Sequence, residues 1–151
     1  MTMRWMALGL AMLVCAPAMA QLDAYRGQIL YDSKPFPPGG TQEFKKALNK
    51  AQGRTELEKD KDAWNFHFVA VFRKAPGAED VTLVFYDVTG GKREYVNVYE
   101  FKVSPDQETL LTQAVLLQSE GFVSGKKYQA LVTRVIGGKE SIYAKATVKL
   151  K

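Results

Sequence analysis

With 151 residues and a formal net charge of +5, the chain is long enough for one domain with a sizeable core and too short for two comfortable ones. Its basic excess is mild, which argues against the concentrated patch of a nucleic-acid binder. A single cysteine, Cys15, and a single histidine, His67, exclude the usual zinc sites and any Cys–His nucleophile pair in the folded part.

Residues 1–20 follow the plan of a secretory signal peptide. Arg4 supplies the positive start, Met6 to Val14 the apolar stretch, and Ala18-Met19-Ala20 an A-x-A cleavage site that leaves Gln21 as the new N-terminus. Cleavage removes Arg4 and lowers the formal charge from +5 to +4. It also removes Cys15, so the mature chain forms no disulfide and its core relies on burial alone. A lipidated cysteine normally follows a small residue, and Val14 stands there instead. No later apolar stretch approaches the ~20 residues of a membrane-spanning helix. The expected location is the periplasm or the exterior of a bacterium.

Residues 21–62 read as an N-terminal extension. Pro35, Pro37, Pro38, Gly39 and Gly40 punctuate it, and a charged run extends from Arg54 to Asp62. Between these, Thr41 is a candidate cap for one short helix, with Phe44, Ala47, Leu48 and Ala51 at helical spacing and Gly53 as the stop. Lys45, Lys46 and Lys50 on its other face read as solvated. Glu56, Glu58, Asp60 and Asp62 alternate with Lys59 and Lys61, and no glycine sits where a calcium loop needs one, so a charged linker is the expectation there.

From Ala63 the period changes to two, and residues 63–151 read as a β-domain. Trp64, Phe66, Phe68, Ala70 and Phe72 alternate with Asn65, His67 and Arg73, as in a strand with one face in a core. Further strands are expected over Val81–Val88, Glu94–Val103, Tyr128–Ile136 and Ser141–Leu150. Gly90-Gly91 and Gly137-Gly138 supply hairpin turns. The last strand places Ile142, Ala144, Ala146, Val148 and Leu150 on one face and Tyr143, Lys145, Thr147, Lys149 and Lys151 on the other. Ser104 to Ser119 fits two patterns: Ser104, Pro105 and Gln107 can start a helix, while Leu111–Leu117 also alternates.

Phe122-Val123-Ser124-Gly125-Lys126-Lys127-Tyr128, followed by alternation through Ala130 and Val132, resembles the corner between the fifth and sixth strands of fibronectin type III and related immunoglobulin-like domains. The resemblance covers about a quarter of the chain, with Ser124 where the family carries proline. It implies an all-β, immunoglobulin-like β-sandwich, a strand over Leu111–Leu117, and a Tyr128 hydroxyl bonded back to the preceding backbone. It implies no activity.

No catalytic, cofactor-binding or metal-binding constellation emerges. His67 falls on the polar side of its strand, and none of Ser33, Ser104, Ser119, Ser124 or Ser141 sits in a nucleophile elbow. Gly91-Lys92, Gly125-Lys126 and Gly138-Lys139 lack the flanking residues of a phosphate loop. The expected role is therefore a cofactor-free, non-enzymatic interaction or structural subunit of a bacterial envelope assembly, with an envelope protein as partner. The candidate partner surface is Tyr143, Lys145, Lys149 and Lys151. Two alternatives make different demands: a carbohydrate- or ligand-binding module requires an exposed aromatic cluster, and a small hydrolase requires a deep cleft with carboxylates converging near His67.

Overall fold

A computed structural model describes residues 22–151, so the signal peptide expected at residues 1–20 lies outside the described residues. Eight strands and one α-helix follow in chain order: β1 (Ile29–Asp32), α1 (Gln42–Gln52), β2 (Glu56–Leu57), β3 (Ala63–Val71), β4 (Asp80–Asp87), β5 (Glu94–Lys102), β6 (Thr109–Leu117), β7 (Lys127–Ile136) and β8 (Lys139–Leu150). They form a three-stranded sheet in the order β1-β3-β6 and a five-stranded sheet in the order β2-β8-β7-β4-β5.

The alternation in β3 explains how the sheets meet. Trp64, Phe66 and Phe68 point one way and are fully buried in a cluster shared with Leu83 and Phe85 of β4, Tyr128 and Val132 of β7, and Val148 of β8. Phe66 and Phe85, from opposite sheets, meet edge to face at 5.4 Å, a favoured aromatic geometry. From Phe68 onward both faces of β3 are buried, because α1 covers the outer one. Phe44, Leu48 and Ala51 of α1 pack on Leu30, Val69 and Val71, with Tyr25 beside them. Thr41 caps this helix, its hydroxyl accepting the Phe44 N–H at 3.1 Å, and Gly53 ends it.

Residues 21–62, expected as an extension, contribute to both sheets. Ile29-Leu30-Tyr31 pair antiparallel with β3, and Leu57, fully buried, pairs in parallel with Leu150. Both segments are too short to announce a strand by periodicity, and their apolar residues are stabilised by contacts distant in sequence. The Ser104–Ser119 segment resolves as strand β6. Its helix-start residues make a turn instead: the Ser104 N–H donates to the Gln107 side-chain oxygen at 3.0 Å. Gly137 and Gly138 both take positive φ (58° and 78°), the requirement of a two-residue type I′ hairpin between β7 and β8. The Tyr128 hydroxyl accepts the Val123 N–H at 2.8 Å, five residues upstream.

One position in β8 departs from simple alternation. The β7–β8 register shifts between Val132 and Thr133, which pair with Ala144 and Ile142, leaving Tyr143 as the extra residue of a β-bulge. The bulge turns Tyr143 inward against Phe72 at 5.9 Å and Ile142 outward. Tyr143 is thus 1% exposed, and its expected place on the outer face is corrected.

Candidate functional site

α1 lies over the three-stranded sheet, and the five-stranded sheet turns its outer face the other way. Strand pairing orders its residues in rows. One row runs Val98–Val84–Leu131–Lys145 across β5, β4, β7 and β8, and the next runs Tyr95–Tyr86–Gln129–Thr147. A third, Glu100–Thr82–Thr133–Ile142, starts from an exposed carboxylate on β5 and is tied by a 3.1 Å contact between the two threonine hydroxyls. The centre of the face is therefore apolar. Val84 and Leu131 are buried under their neighbours, while Val98, Ile142 and especially Tyr95, 60% exposed, stand open.

Basic groups border this centre. Lys145 and Lys149 are exposed on β8, where the sequence pattern placed them. Lys149 pairs with Lys127 on β7 on one side and Glu56 on β2 on the other. Lys127 is an exposed contributor that sequence alone did not single out; it falls in the corner before the strand expected from Tyr128, and the β7–β8 register brings it beside Lys149. Lys151 is committed to Glu56 at 2.9 Å, an exposed ion pair of small energetic weight. On the far side, the Arg93 guanidinium lies 3.9 Å over the Tyr86 ring and reaches Glu140 at 3.8 Å. Through this contact Glu140 of the β7–β8 hairpin lies beside the guanidinium that covers Tyr86.

The lysines of β8 do not guard an open strand edge. Its outer backbone is bonded by Arg73 N–H to Tyr143 C=O at 2.8 Å, Lys145 N–H to Gly27 C=O at 3.1 Å, and Lys149 N–H to Thr55 C=O at 2.9 Å. Protection against edge-to-edge pairing, a common use of strand lysines, is thus supplied there by the chain itself.

His67 lies on the other sheet, opposite Asp32 in the β1–β3 register. Burial pushes its pKa below the usual histidine value, with Asp32 acting in the opposite direction. Beside it is a shallow groove of about 270 Å³, lined by Pro35, Phe36, His67, Leu111, Thr112 and Gln113, with no carboxylate in its lining. At the opposite end of the five-stranded sheet, Asp87 accepts the Thr89 N–H at 2.9 Å and pairs with Lys126 at 3.1 Å. These partners hold its carboxyl below the ordinary range, the Thr89 hydrogen bonding leading and Lys126 adding to it. No group of three or more potential metal ligands occurs among the described residues. No helix among them is long and apolar enough to cross a membrane.

No protein-family model, curated protein or solved structure matches this chain.

Proposed function

We propose that this chain is an exported, immunoglobulin-like, non-enzymatic interaction subunit of a bacterial envelope assembly, and that a protein partner docks on the outer face of its five-stranded sheet. The carrying observation is that face: exposed apolar side chains of Tyr95, Val98 and Ile142 bordered by Lys127, Lys145 and Lys149. Apolar cores with charged rims are the common anatomy of protein interfaces, and the lysine border favours a partner with an acidic rim.

Two observations support the immunoglobulin-like reading. A β1-β3-β6 sheet against β8-β7-β4-β5 follows the order of the first, second and fifth strands against the last, sixth, third and an added edge strand in that architecture. The Tyr128 hydroxyl bond to Val123 supplies the corner contact. Export rests on the A-x-A signal sequence.

The test compares proteins retained from native envelope by the wild type, by Lys145→Glu with Lys149→Glu, by Tyr95→Ala, and by a control, Lys46→Glu, on α1. A partner lost with both face variants and kept with the control supports the reading. Equal retention by all four refutes it. The ligand-binding alternative draws on Tyr95 beside Tyr86 and Arg93; it gains if Tyr95→Ala abolishes binding of a soluble glycan or small ligand while the lysine variant does not.

A further inference from the structure

The four sheet edges differ in how they are protected against pairing with another strand. β1 has four residues and β2 two. β5 is longer, but its register breaks opposite Phe85 and Tyr86, and it bears Glu94, Glu100 and Lys102. Short length, a bulge and charge are the usual defences of an edge. β6 has none of these. Its nine residues, Thr-Leu-Leu-Thr-Gln-Ala-Val-Leu-Leu, contain no charge and no proline and pair with β3 in unbroken register.

The direction of its backbone groups can be read from neighbouring bonds. The Phe72 N–H donates to the Glu108 carbonyl at 2.8 Å and the Gln118 N–H to the Asp62 carbonyl at 3.3 Å, so even-numbered residues of β6 direct their polar groups at β3. Odd-numbered residues direct theirs at the free edge. Two carbonyls on that edge are taken by side chains: Gln107 donates to Thr109 at 2.6 Å, and the Tyr99 hydroxyl donates to Val115 at 3.2 Å. Between them the N–H and C=O of Leu111 and Gln113 find no partner among the described residues. The capped carbonyls stand three residues either side of Thr112, so the open window is symmetric about that residue.

We propose that β6 is a self-association edge, at which a second copy of this chain pairs antiparallel about a twofold axis at Thr112. In that register Leu111 of each copy lies opposite Gln113 of the other, and the pairs exchange four backbone hydrogen bonds, using the free groups of both copies and no others. Residues of like parity meet, so inward Leu110 faces Ala114 and outward Thr109 faces Val115, and each keeps its side of the sheet. Thr112 faces its own copy, a favourable cross-strand pair. No charge opposes another across the seam. Leu111, 48% exposed, and Val115, 40% exposed, become covered. The groove beside Pro35 and Phe36 joins its twin across the axis. The contact leaves the outer face of the five-stranded sheet free, and it stands independently of the partner proposed there.

The experiment exploits the scarcity of thiols. In a Cys15→Ser background, Thr112→Cys places the chain's single thiol on the axis, where facing residues of a non-hydrogen-bonded antiparallel pair come within disulfide reach, ~4.5 Å between Cα atoms. Mild oxidation is expected to give a covalent dimer much faster than with Lys102→Cys on β5. Sedimentation of the cysteine-free parent is expected to show a concentration-dependent dimer. Gln113→Pro removes a donor that faces the free edge, a position where proline is tolerated, and eliminates two of the four bonds. It is expected to weaken the dimer about tenfold or more. Leu111→Lys, which buries a charge at the seam, serves as a second variant should the proline disturb folding. A parent that stays monomeric up to about 1 mM, beyond which affinity is negligible, overturns the proposal. Equal crosslinking from Thr112→Cys and Lys102→Cys, or a dimer that survives Leu111→Lys, also overturns it.

Discussion

Phe85→Ala tests whether the two sheets are held by one core. Phe85 is fully buried on β4 and meets Phe66 of the opposite sheet at 5.4 Å, Phe122 at 5.3 Å and Tyr99 at 5.9 Å, each nearly perpendicular. Truncation removes the ring from a site walled on three sides by other rings, which cannot collapse into the space without breaking their own contacts. The cost belongs at the upper part of the range for large-to-small aromatic changes, about 4 to 5 kcal/mol. Domains of this size are stable by only ~5 to 15 kcal/mol, so about a quarter or more of the total is at stake. With a urea m-value of about 2 kcal/mol/M, the unfolding midpoint should drop by about 2 M. Phe85→Leu, which keeps part of the volume, should lose roughly half as much. A midpoint within 0.3 M of wild type, an arbitrary bound set at about 0.6 kcal/mol, would show that the sheets do not share this cluster.

Tyr128→Phe deletes only the acceptor of the Val123 N–H; because Val123 is itself exposed and its amide can rehydrate, the loss should be about 1 kcal/mol, read as a small drop in thermal midpoint with unchanged circular dichroism. The Asp87 carboxyl titrates lower in the folded than in the unfolded chain, so the unfolded state takes up the proton first as pH falls. Its stabilisation is present above the ordinary carboxylate pKa of ~3.9 and is lost below it, and Asp87→Asn should flatten the stability profile between about pH 4 and 2. His67 is also shifted down, so the unfolded chain binds its proton more readily below ~6.5, and stability should fall from pH 7 toward 5 less steeply in His67→Gln. Mass spectrometry of the exported protein should find a chain beginning at Gln21 without acyl groups; an acylated N-terminal Cys15 would reverse the placement.

Long periodic elements were legible because their pattern is local. Phe44, Leu48 and Ala51 mark one helical face between Thr41 and Gly53, and Trp64, Phe66 and Phe68 mark one face of a strand; each signal lies within a dozen residues. What escaped depends on distant pairing. Ile29-Leu30-Tyr31 is three residues of apolar chain until β3 lies beside it, and Leu57 acquires meaning only next to Leu150. Ser104, Pro105 and Gln107 carry true capping chemistry, satisfied here within a turn, so the same local bonds serve either outcome and the tertiary pairing with β3 decides. For the candidate face, alternation placed Lys145 and Lys149 correctly but not Tyr143.

The Tyr143 error shows why alternation breaks down where it does. A bulge needs no glycine or proline to announce it, and it reverses the facing of every residue beyond it. Counting from Leu150 back to Ala144 the sequence pattern holds, and one extra residue then sends Tyr143 into the core while Ile142 turns to solvent. The exchange has a consequence for the surface. An aromatic ring leaves the lysine row, and an aliphatic side chain joins Thr82 and Thr133 on the outer face. The bulge lies in the same hairpin whose Glu140 meets Arg93 beside Tyr86. The apolar centre of the face is thus assembled from β5, β4, β7 and the far half of β8, and not from a single lysine-rich strand. Deletion of Tyr143 would remove the bulge and leave Ile142 opposite Thr133 on the outer face, so the register of Lys145 and Lys149 should survive, and the loss should fall on the core contact with Phe72 and on the bend that accompanies the Arg93–Glu140 contact.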